Sequence, residues 1–278
     1  MTLDEIIDAA LKEDIGDGDH TSLSTIPASA HGKARLLVKE AGIICGIDVA
    51  IKVLNKVDPS VVIQKMLSDG DSVKPGDVAF TVEGSSISIL TAERLLLNFM
   101  QRMSGIATTT NLYVQKLEGT NTRLLDTRKT TPLLREVEKY AVKIGGGENH
   151  RFGLFDMILV KDNHIDFAGG IGNAIIAVEA YLKAKGLNLK IEIEARTIDD
   201  VKEILGHRDI HRIMLDNFTP ALMKEAVALI NGRAETEASG GITIDNLREY
   251  AETGVDFISV GALTHHIKSL DMSLKAFF

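Results

Sequence analysis

Cysteine is almost absent from this 278-residue sequence, in which Cys45 is the only one. A single thiol cannot form a disulfide within the chain, and this usage is typical of proteins that work in a reducing compartment. The first twenty residues are acidic and lack the basic stretch and apolar run of a signal peptide. The chain also lacks the roughly 20 consecutive apolar residues that a membrane-spanning helix needs. We therefore expect a cytoplasmic protein with no membrane partner.

Basic residues are outnumbered by acidic ones, and the formal charge is −8. This balance argues against DNA or RNA as a partner, because nucleic-acid-binding proteins usually present a broad basic surface. The sequence has no GxxxxGK followed by Ser or Thr, no GxGxxG after a predicted strand, and no Cys/His cluster for zinc. Its length allows one large domain or two smaller ones, with the apolar content of an ordinary globular protein.

One stretch, from Arg123 to His164, departs from the acidic background. It contains eight basic residues against six acidic ones, which leaves about +2 there and about −10 on the rest of the chain. A local cationic region in an acidic protein indicates a pocket for a small anion that carries several charges.

The first part of the chain has the pattern of a small α+β domain. Its turn sequence DGDSVKPGD also occurs in lipoyl and biotinyl carrier domains, but the second half of that motif is missing, so we interpret the turn as architectural. Thr91 is predicted to cap a long helix, and Gly105 with the threonines at 108–110 to mark a bend or break near a domain junction. We predict helices at 3–11 and 46–57, strands at 33–39, 61–67, 78–82 and 87–90, and a loop at 15–27.

From residue 121 onward, strands and helices alternate. Six such units in about 140 residues predict a parallel sheet, either doubly wound or closed into a barrel with fewer than eight strands. Every predicted strand is followed by polar, charged or glycine residues, and only a barrel brings all strand ends to one mouth, so we favour the barrel. The predicted strands are 123–126, 157–160, 190–193, 212–215, 235–238 and 257–260; the helices are 132–142, 171–185, 198–205, 220–230 and 244–252.

Basic side chains follow the first two of these strands. Together they can make several charge-assisted hydrogen bonds to carboxylate or phosphate oxygens. The alternative is that they form surface ion pairs with neighbouring acids, but four basic residues after only two strands favour a site. They are Arg128, Lys129, Arg151 and Lys161.

The later strand ends carry acids and glycines. Glu194 and Asp216 are suited to hold Mg²⁺, to bind sugar hydroxyls or to stabilise a developing cation; the alternative is that they cap their own loops. Ser239-Gly240-Gly241, before a helix that Thr243 is predicted to cap, offers backbone N–H groups to a phosphate, although many such loops contain two glycines. Gly261-Ala262 after the last strand would complete a barrel phosphate site.

Several ordered segments of the chain resemble one enzyme family. They are DTRKTTPLLREVEKYAVKIGGGENHRFGLFDMILVKDNHI, EIEAR, IMLDNF, EASGGI and DFISVGALTH, with EDIGDGDHTS and LNFMQRMSGIAT upstream. They are similar to the quinolinate phosphoribosyltransferases, the decarboxylating nicotinate-nucleotide pyrophosphorylases of NAD synthesis. The resemblance implies an N-terminal α+β sandwich over 1–106, joined by the tail 267–278, and an incomplete parallel α/β barrel over 107–266.

The resemblance also implies a role for each matching residue. Lys129, Lys161, Glu194 and Asp216 would be catalytic, and the two acids would also hold Mg²⁺, directly or through other ligands. Arg102 would reach the partner's quinolinate across a homodimer interface. The implied substrate-binding set is Arg102, Thr127, Arg128, Lys129, His150, Arg151, Lys161, Glu194, Asp216, Ser239, Gly240, Gly241, Gly261, Ala262 and His265.

The implied reaction joins quinolinate to phosphoribosyl pyrophosphate (PRPP), with loss of CO₂, to give nicotinate mononucleotide. Such highly charged substrates match the cationic residues. Two other functions remain open: a non-decarboxylating transferase for nicotinate, or a molybdenum-associated relative, and a regulator that binds pyridine nucleotides without catalysis. A comparison of quinolinate and nicotinate turnover tests the first, and release of pyrophosphate tests the second.

Overall fold

The computed structural model describes residues 1–277, which form two compact units built from interleaved segments. The first unit contains residues 1–111, residues 130–146 and those from Leu263 onward; the second contains 112–129 and 147–262. The predicted division of the chain between residues 106 and 107 stays a prediction.

The helices and strands of the described residues follow in this order. The first part contains α1 (Leu3–Ile15), α2 (His20–Thr25), β1 (His31–Val38), β2 (Gly42–Ile43), α3 (Ile47–Val57), β3 (Val62–Lys65), β4 (Ser72–Val73), β5 (Val78–Ser85) and α4 (Ser86–Lys116). The second part contains β6 (Arg123–Leu125), α5 (Arg135–Ile144), β7 (Ile158–Val160), α6 (Asp162–Ala168), α7 (Ile171–Lys185), β8 (Ile191–Ala195), α8 (Ile198–Ile204), β9 (Arg212–Asp216), α9 (Pro220–Ile230), β10 (Glu235–Ser239), α10 (Leu247–Ala251), β11 (Phe257–Ser259), α11 (Ala262–His265) and β12 (Met272–Phe277).

The first unit contains a four-stranded antiparallel sheet in the order β12-β1-β5-β3. Strand β1 lies between β5 and β12, and its Leu36 is paired with Leu274. Alternate residues of β1 are buried because only one face of the sheet packs on a core, which contains Leu36, Val38 and Phe80.

Two predictions near the start of the long helix were wrong. Residues 87–90, predicted as a strand, form the first turns of α4. Thr91 therefore lies inside the helix rather than at its N-cap, and its hydroxyl donates to Asp19 Oδ2 at 3.1 Å. Asp19 in turn caps α2 by accepting from Ser22 N at 3.0 Å, so a segment predicted as a loop contains a short helix.

Helix α4 also runs without the predicted break at Gly105 and the following threonines. Instead, these small and hydroxyl-bearing residues contact the backbone of other segments of the chain. The Ser104 hydroxyl accepts from Cys45 N at 2.8 Å, and that of Thr108 accepts from Ile43 N at 2.9 Å. A Cβ on Gly105 would overlap the carbonyl oxygen of Lys268 and lie 3.1 Å from Ser269 Cα. Gly105 therefore serves a close approach of two backbones rather than a bend.

We expect Gly105→Ala to lower the free energy of unfolding by about 2 kcal/mol, because the added methyl group overfills this contact. Chemical denaturation measures the change. Gly172→Ala is the matched control: Gly172 lies in the first turn of α7, and its added Cβ would meet nothing closer than 3.5 Å. That control is expected to be neutral or slightly stabilising, since alanine favours a helix over glycine. Equal stability of the two variants would contradict the close-approach role.

The second unit contains a six-stranded parallel sheet in the order β6-β11-β10-β9-β8-β7. Strands β7 to β11 lie side by side in chain order, and β6, the first strand of the sheet, pairs with β11, the last. A doubly wound sheet would instead grow outward in two directions from its first strand. The opening lies between β6 and β7, where Leu125 makes an isolated bridge to Glu148. The predicted incomplete α/β barrel is confirmed.

Helix α6 is an element that the sequence patterns did not predict. It begins directly after Lys161, whose backbone N–H donates to His164 Nδ1 at 3.0 Å, and it ends at Gly169 in the left-handed conformation (φ +79°). Helix α7 follows at an angle of 91°. No single helix among residues 1–277 has the length and apolar content to cross a membrane; α6 and α7 reach them only as a bent pair.

Candidate active site

A cavity of about 310 Å³ lies in the second unit and is lined by residues in and directly after the barrel strands, together with two residues from the loop before β7. This is the end of a parallel barrel at which active sites form. The predicted residues in its wall are Thr127, Arg128, Lys129, His150, Arg151, Lys161 and Ser239; the others are Leu159, Met214, Glu237 and Ser259.

The basic residues of the wall crowd one another. Burial, together with the nearby charge of Arg128, lowers the pKa of Arg151. The guanidinium of Arg151 is held in place by donation from Nη1 to the carbonyl oxygen of Met157 at 3.2 Å. Lys129 is oriented through its backbone N–H, which donates to Thr127 Oγ1 at 3.0 Å. Like charges in a half-buried wall are unfavourable until an anion offsets them, so the cavity is suited to an anionic ligand.

Two acids stand beside the basic wall. Lys161 Nζ lies 3.6 Å from Glu194 Oε2, and Asn217 Nδ2 donates to Asp216 Oδ2 at 2.6 Å. Burial raises the pKa of both Glu194 and Asp216, while the charge of Lys161 opposes the rise for each. The charge of Asp216 raises the pKa of Glu194 further. Two mutually repelling carboxylates, with only one ammonium acting on both, are suited to a cation or a positively charged transition state.

The glycine loop after β10 approaches β9 closely. Gly240 has φ +95° and Gly241 has φ +62°, conformations that other residues rarely adopt. A Cβ on Gly240 would overlap the side-chain oxygen of Asn217 and lie 2.9 Å from its backbone nitrogen. The following helix begins at Leu247 rather than 244, and Thr243 donates its N–H to Asn246 Oδ1 instead of capping it. Gly261 follows β11, and Ala262 begins α11.

Two predicted site residues, Arg102 and His265, belong to the first unit. The guanidinium of Arg102 pairs with the buried Glu138, with Nη2 at 2.6 Å from Oε1, and donates to Thr131 Oγ1 at 2.7 Å. It also donates to the carbonyl oxygen of Thr264 at 3.2 Å. The ring of His265 packs edge-on against His266, with centroids 4.7 Å apart. Whether either residue reaches a substrate stays a prediction.

Sequence reasoning predicted His150 as a site residue but missed the buried charged network to which it belongs, which reaches the cavity wall through His150 and Glu237. His150 Nε2 lies 3.0 Å from Glu192 Oε2 and 3.4 Å from Glu237 Oε2. Both glutamates are fully buried, and Arg212 Nη1 donates to Glu237 Oε2 at 2.9 Å. The guanidinium of Arg212 also stacks over the Phe257 ring, with its Cζ 4.0 Å from the ring centroid. These residues form a polar layer inside the barrel.

The titration behaviour of this layer follows from its pairing. Burial alone would lower the pKa of His150, but the bonds and charges of Glu192 and Glu237 oppose burial and raise that pKa. Burial and the charge of Glu237 raise the pKa of Glu192 to about 7. The two groups titrate as a pair, and because Nδ1 of His150 accepts the N–H of Arg151 at 2.6 Å, the proton that the pair gains lies on Glu192 rather than on Nδ1. The layer is then balanced, because Arg212 already compensates Glu237.

The signal that reveals this layer is the alternation Glu-x-Glu in two strands. Glu192 and Glu194 are two positions apart in β8, and Glu235 and Glu237 are two positions apart in β10. Residues at i and i+2 of a strand share a face, so once one acid is placed in the barrel its neighbour must lie there too.

The fold and the site together define an α/β barrel of the enzyme type, with a cationic cavity at its mouth that is suited to small polyanions. Models described as the N-terminal and C-terminal domains of quinolinate phosphoribosyl transferase match residues 19–104 and 106–275. The chain belongs to the quinolinate phosphoribosyltransferase family.

Individual relatives span nearly the whole chain. The chloroplastic nicotinate-nucleotide pyrophosphorylase (carboxylating) of Arabidopsis thaliana is 48% identical over 98% of this chain and 82% of its own length. The probable enzyme of the same name from Bacillus subtilis is 40% identical over 99% and 93%. The solved nicotinate-nucleotide pyrophosphorylase from Francisella tularensis is 40% identical, covers 99% of this chain and 96% of its own, and superposes with a TM-score of 0.93.

Proposed function

We propose that this protein transfers the phosphoribosyl group of PRPP to the ring nitrogen of quinolinate, with loss of CO₂. The products are nicotinate mononucleotide and pyrophosphate, in the de novo synthesis of NAD. The observation that carries the proposal is the cavity itself, in which Arg128, Lys129, Arg151 and Lys161 face one space beside Glu194. Quinolinate brings two adjacent carboxylates, and a cationic wall compensates them.

The acids are suited to the chemistry at the ribose. When the pyridine nitrogen attacks C1 as pyrophosphate leaves, positive charge develops on the sugar. Glu194 and Asp216 stabilise that charge and accept hydrogen bonds from the ribose hydroxyls. The Gly240–Gly241 backbone and Ser239 support the binding of the 5′-phosphate. Since the quaternary ring nitrogen then becomes an electron sink, the 2-carboxylate leaves as CO₂ after the glycosidic bond has formed.

Mg²⁺ is the cofactor we propose, and the donor set fits it. Glu194 and Asp216 are close enough for the charge of one to raise the pKa of the other. One or two carboxylates together with substrate phosphates are the ligands that Mg²⁺ usually takes. When bound, the ion neutralises charge on the departing pyrophosphate.

We also propose a homodimer in which Arg102 serves the partner's site. Arg102 is 27% exposed and lines an apolar cavity of about 220 Å³ in the first unit, together with Ile6, Leu95 and Phe99. An apolar surface with one arginine is typical of the centre of a protein interface. The cytoplasmic location stays a prediction.

We expect incubation with quinolinate, PRPP and Mg²⁺ to yield nicotinate mononucleotide, CO₂ and pyrophosphate in equal amounts, as measured by chromatography and a coupled pyrophosphate assay. Nicotinate should be a poor substrate, because one carboxylate leaves part of the cationic wall uncompensated. Comparable turnover of nicotinate would contradict the proposal. Release of CO₂ from quinolinate without PRPP would contradict the order of the two steps.

A further inference from the structure

The buried layer raises a question about charge. Two buried carboxylates, those of Glu192 and Glu237, lie at a cavity that must attract anions, and Glu237 is part of its wall. Burying such groups is costly unless each is paired with good geometry. Arg212 compensates Glu237 at 2.9 Å, and the remaining partner is His150. A pair of acids in this place therefore requires a reason beyond stability.

The surroundings of His150 supply that reason, because both ring nitrogens are directed at protein groups. Nε2 faces Glu192 and Glu237, and Nδ1 accepts the backbone N–H of Arg151 at 2.6 Å. The backbone N–H of His150 donates to the buried Asp126 Oδ1 at 2.8 Å. Both nitrogens of the imidazole are thus held by protein groups, and Nδ1 holds the backbone N–H of Arg151.

We infer that Glu192 and Glu237 are positioning residues for quinolinate binding, which act through His150 to aim the Arg151 guanidinium into the cavity. The inference deepens the proposed function and rests on it. The carboxylates select the His150 tautomer with its proton on Nε2, which leaves Nδ1 as the acceptor for Arg151. The imidazole then acts as a link between the buried layer and the basic wall.

The next residues show why Arg151 needs such a link. The loop after it is tied down from the other side, since Asp156 accepts from Phe152 N at 2.6 Å and from Gly153 N at 2.8 Å. Arg151 lies between this turn and His150, so its position is set by both. A bidentate arginine grip on a carboxylate depends on such placement, because a small displacement removes one of its two bonds.

The test compares two replacements of Glu192 in the full-length protein. Glu192→Leu removes the acceptor for Nε2–H, and we expect it to raise the KM for quinolinate at least tenfold while the KM for PRPP changes less than twofold. Glu192→Gln keeps an acceptor oxygen, so it should restore the KM for quinolinate to within about threefold of the wild type. Equal rises in both KM values, or no rescue by glutamine, would overturn the inference.

A matched control and a double mutant separate positioning from a structural role. Glu235 lies on the same strand as Glu237 and also pairs with Arg212, at 2.9 Å, but the ion pairs of His150 are with Glu192 and Glu237. Glu235→Gln should therefore leave both KM values unchanged. Adding Glu192→Leu to Arg151→Ala should change the KM for quinolinate no further, since the two act in series. Full additivity would overturn the inference.

Two further measurements cover the remaining outcomes. If Glu192→Leu does not fold, His150→Leu breaks the same link and is expected to raise the same KM alone; a wild-type KM would overturn the inference. The atoms of His150, Glu192 and Glu237 lie within 4.8 Å of one another, as in a metal site. One divalent ion per chain that survives dialysis and is lost in Glu192→Gln would also overturn it. A wild type inactive on quinolinate would instead remove the proposed function.

Discussion

Lys161→Ala is expected to lower kcat for quinolinate at least tenfold, with the loss measured by initial rates of nicotinate mononucleotide formation. The ammonium group lines the cavity and lies 3.6 Å from Glu194 Oε2, so it contacts the basic and the acidic parts of the site. A charge-assisted hydrogen bond contributes about 1.5–3 kcal/mol. Each increase of about 1.4 kcal/mol in the activation free energy lowers the rate tenfold, so the loss of one such bond at the transition state accounts for the expected change.

The control for this variant is another lysine with one acidic partner. Lys202 Nζ pairs with Asp199 Oδ1 at 2.8 Å on an exposed face of α8, and Lys202→Ala should leave the kinetics unchanged. Because Lys161 is half exposed, its removal should also change the free energy of unfolding by less than about 0.5 kcal/mol. Near-normal turnover by Lys161→Ala, or an equal loss in Lys202→Ala, would reject the role of Lys161.

The barrel and its basic wall could be predicted from sequence because both depend on local patterns. Strand ends of a parallel barrel share one mouth, so a common location for Arg128 and Lys161, which both line the cavity, followed from the order of strands and loops alone. The same reasoning needs no knowledge of which strands are neighbours. The cationic cavity could therefore be predicted even though the pairing of β6 with β11, which joins residues far apart in the chain, could not.

The buried layer could not be predicted because its stability depends on pairs formed across strands. A glutamate in a strand is usually exposed, and Glu192 or Glu237 alone would be too costly to bury. Each becomes possible only because Arg212 and His150, which come from another strand and from a loop, meet it inside the barrel. The prediction of a break at Gly105 was wrong for a similar reason. A glycine is needed there because the backbone of Lys268 and Ser269, far along the chain, lies against the helix, and not because the helix bends.

Mixing two impaired variants is expected to restore activity above that of either one, and this prediction tests the dimer directly. If Arg102 serves the partner's site, each active site takes Lys161 from its own chain and Arg102 from the other chain. Arg102→Ala then impairs the partner's site, whereas Lys161→Ala impairs the site of its own chain. A mixed dimer then contains one site that has both Arg102 and Lys161 and one that has neither. Random pairing of equal amounts makes half of the dimers mixed, so activity per chain should reach about a quarter of the wild-type value.

The restoration is measured by initial rates after the two variants are unfolded, mixed and refolded together. The matched control mixes Arg102→Ala with the double variant that carries both changes, in which no arginine is available to either site and no activity should return. Each refolded variant alone gives the baseline. Failure of the first mixture to exceed that baseline, with mixed dimers demonstrated by native mass spectrometry, would place Arg102 outside the partner's site. Its contacts with Glu138 and Thr131 would then be its purpose, as a structural ion pair within its own chain.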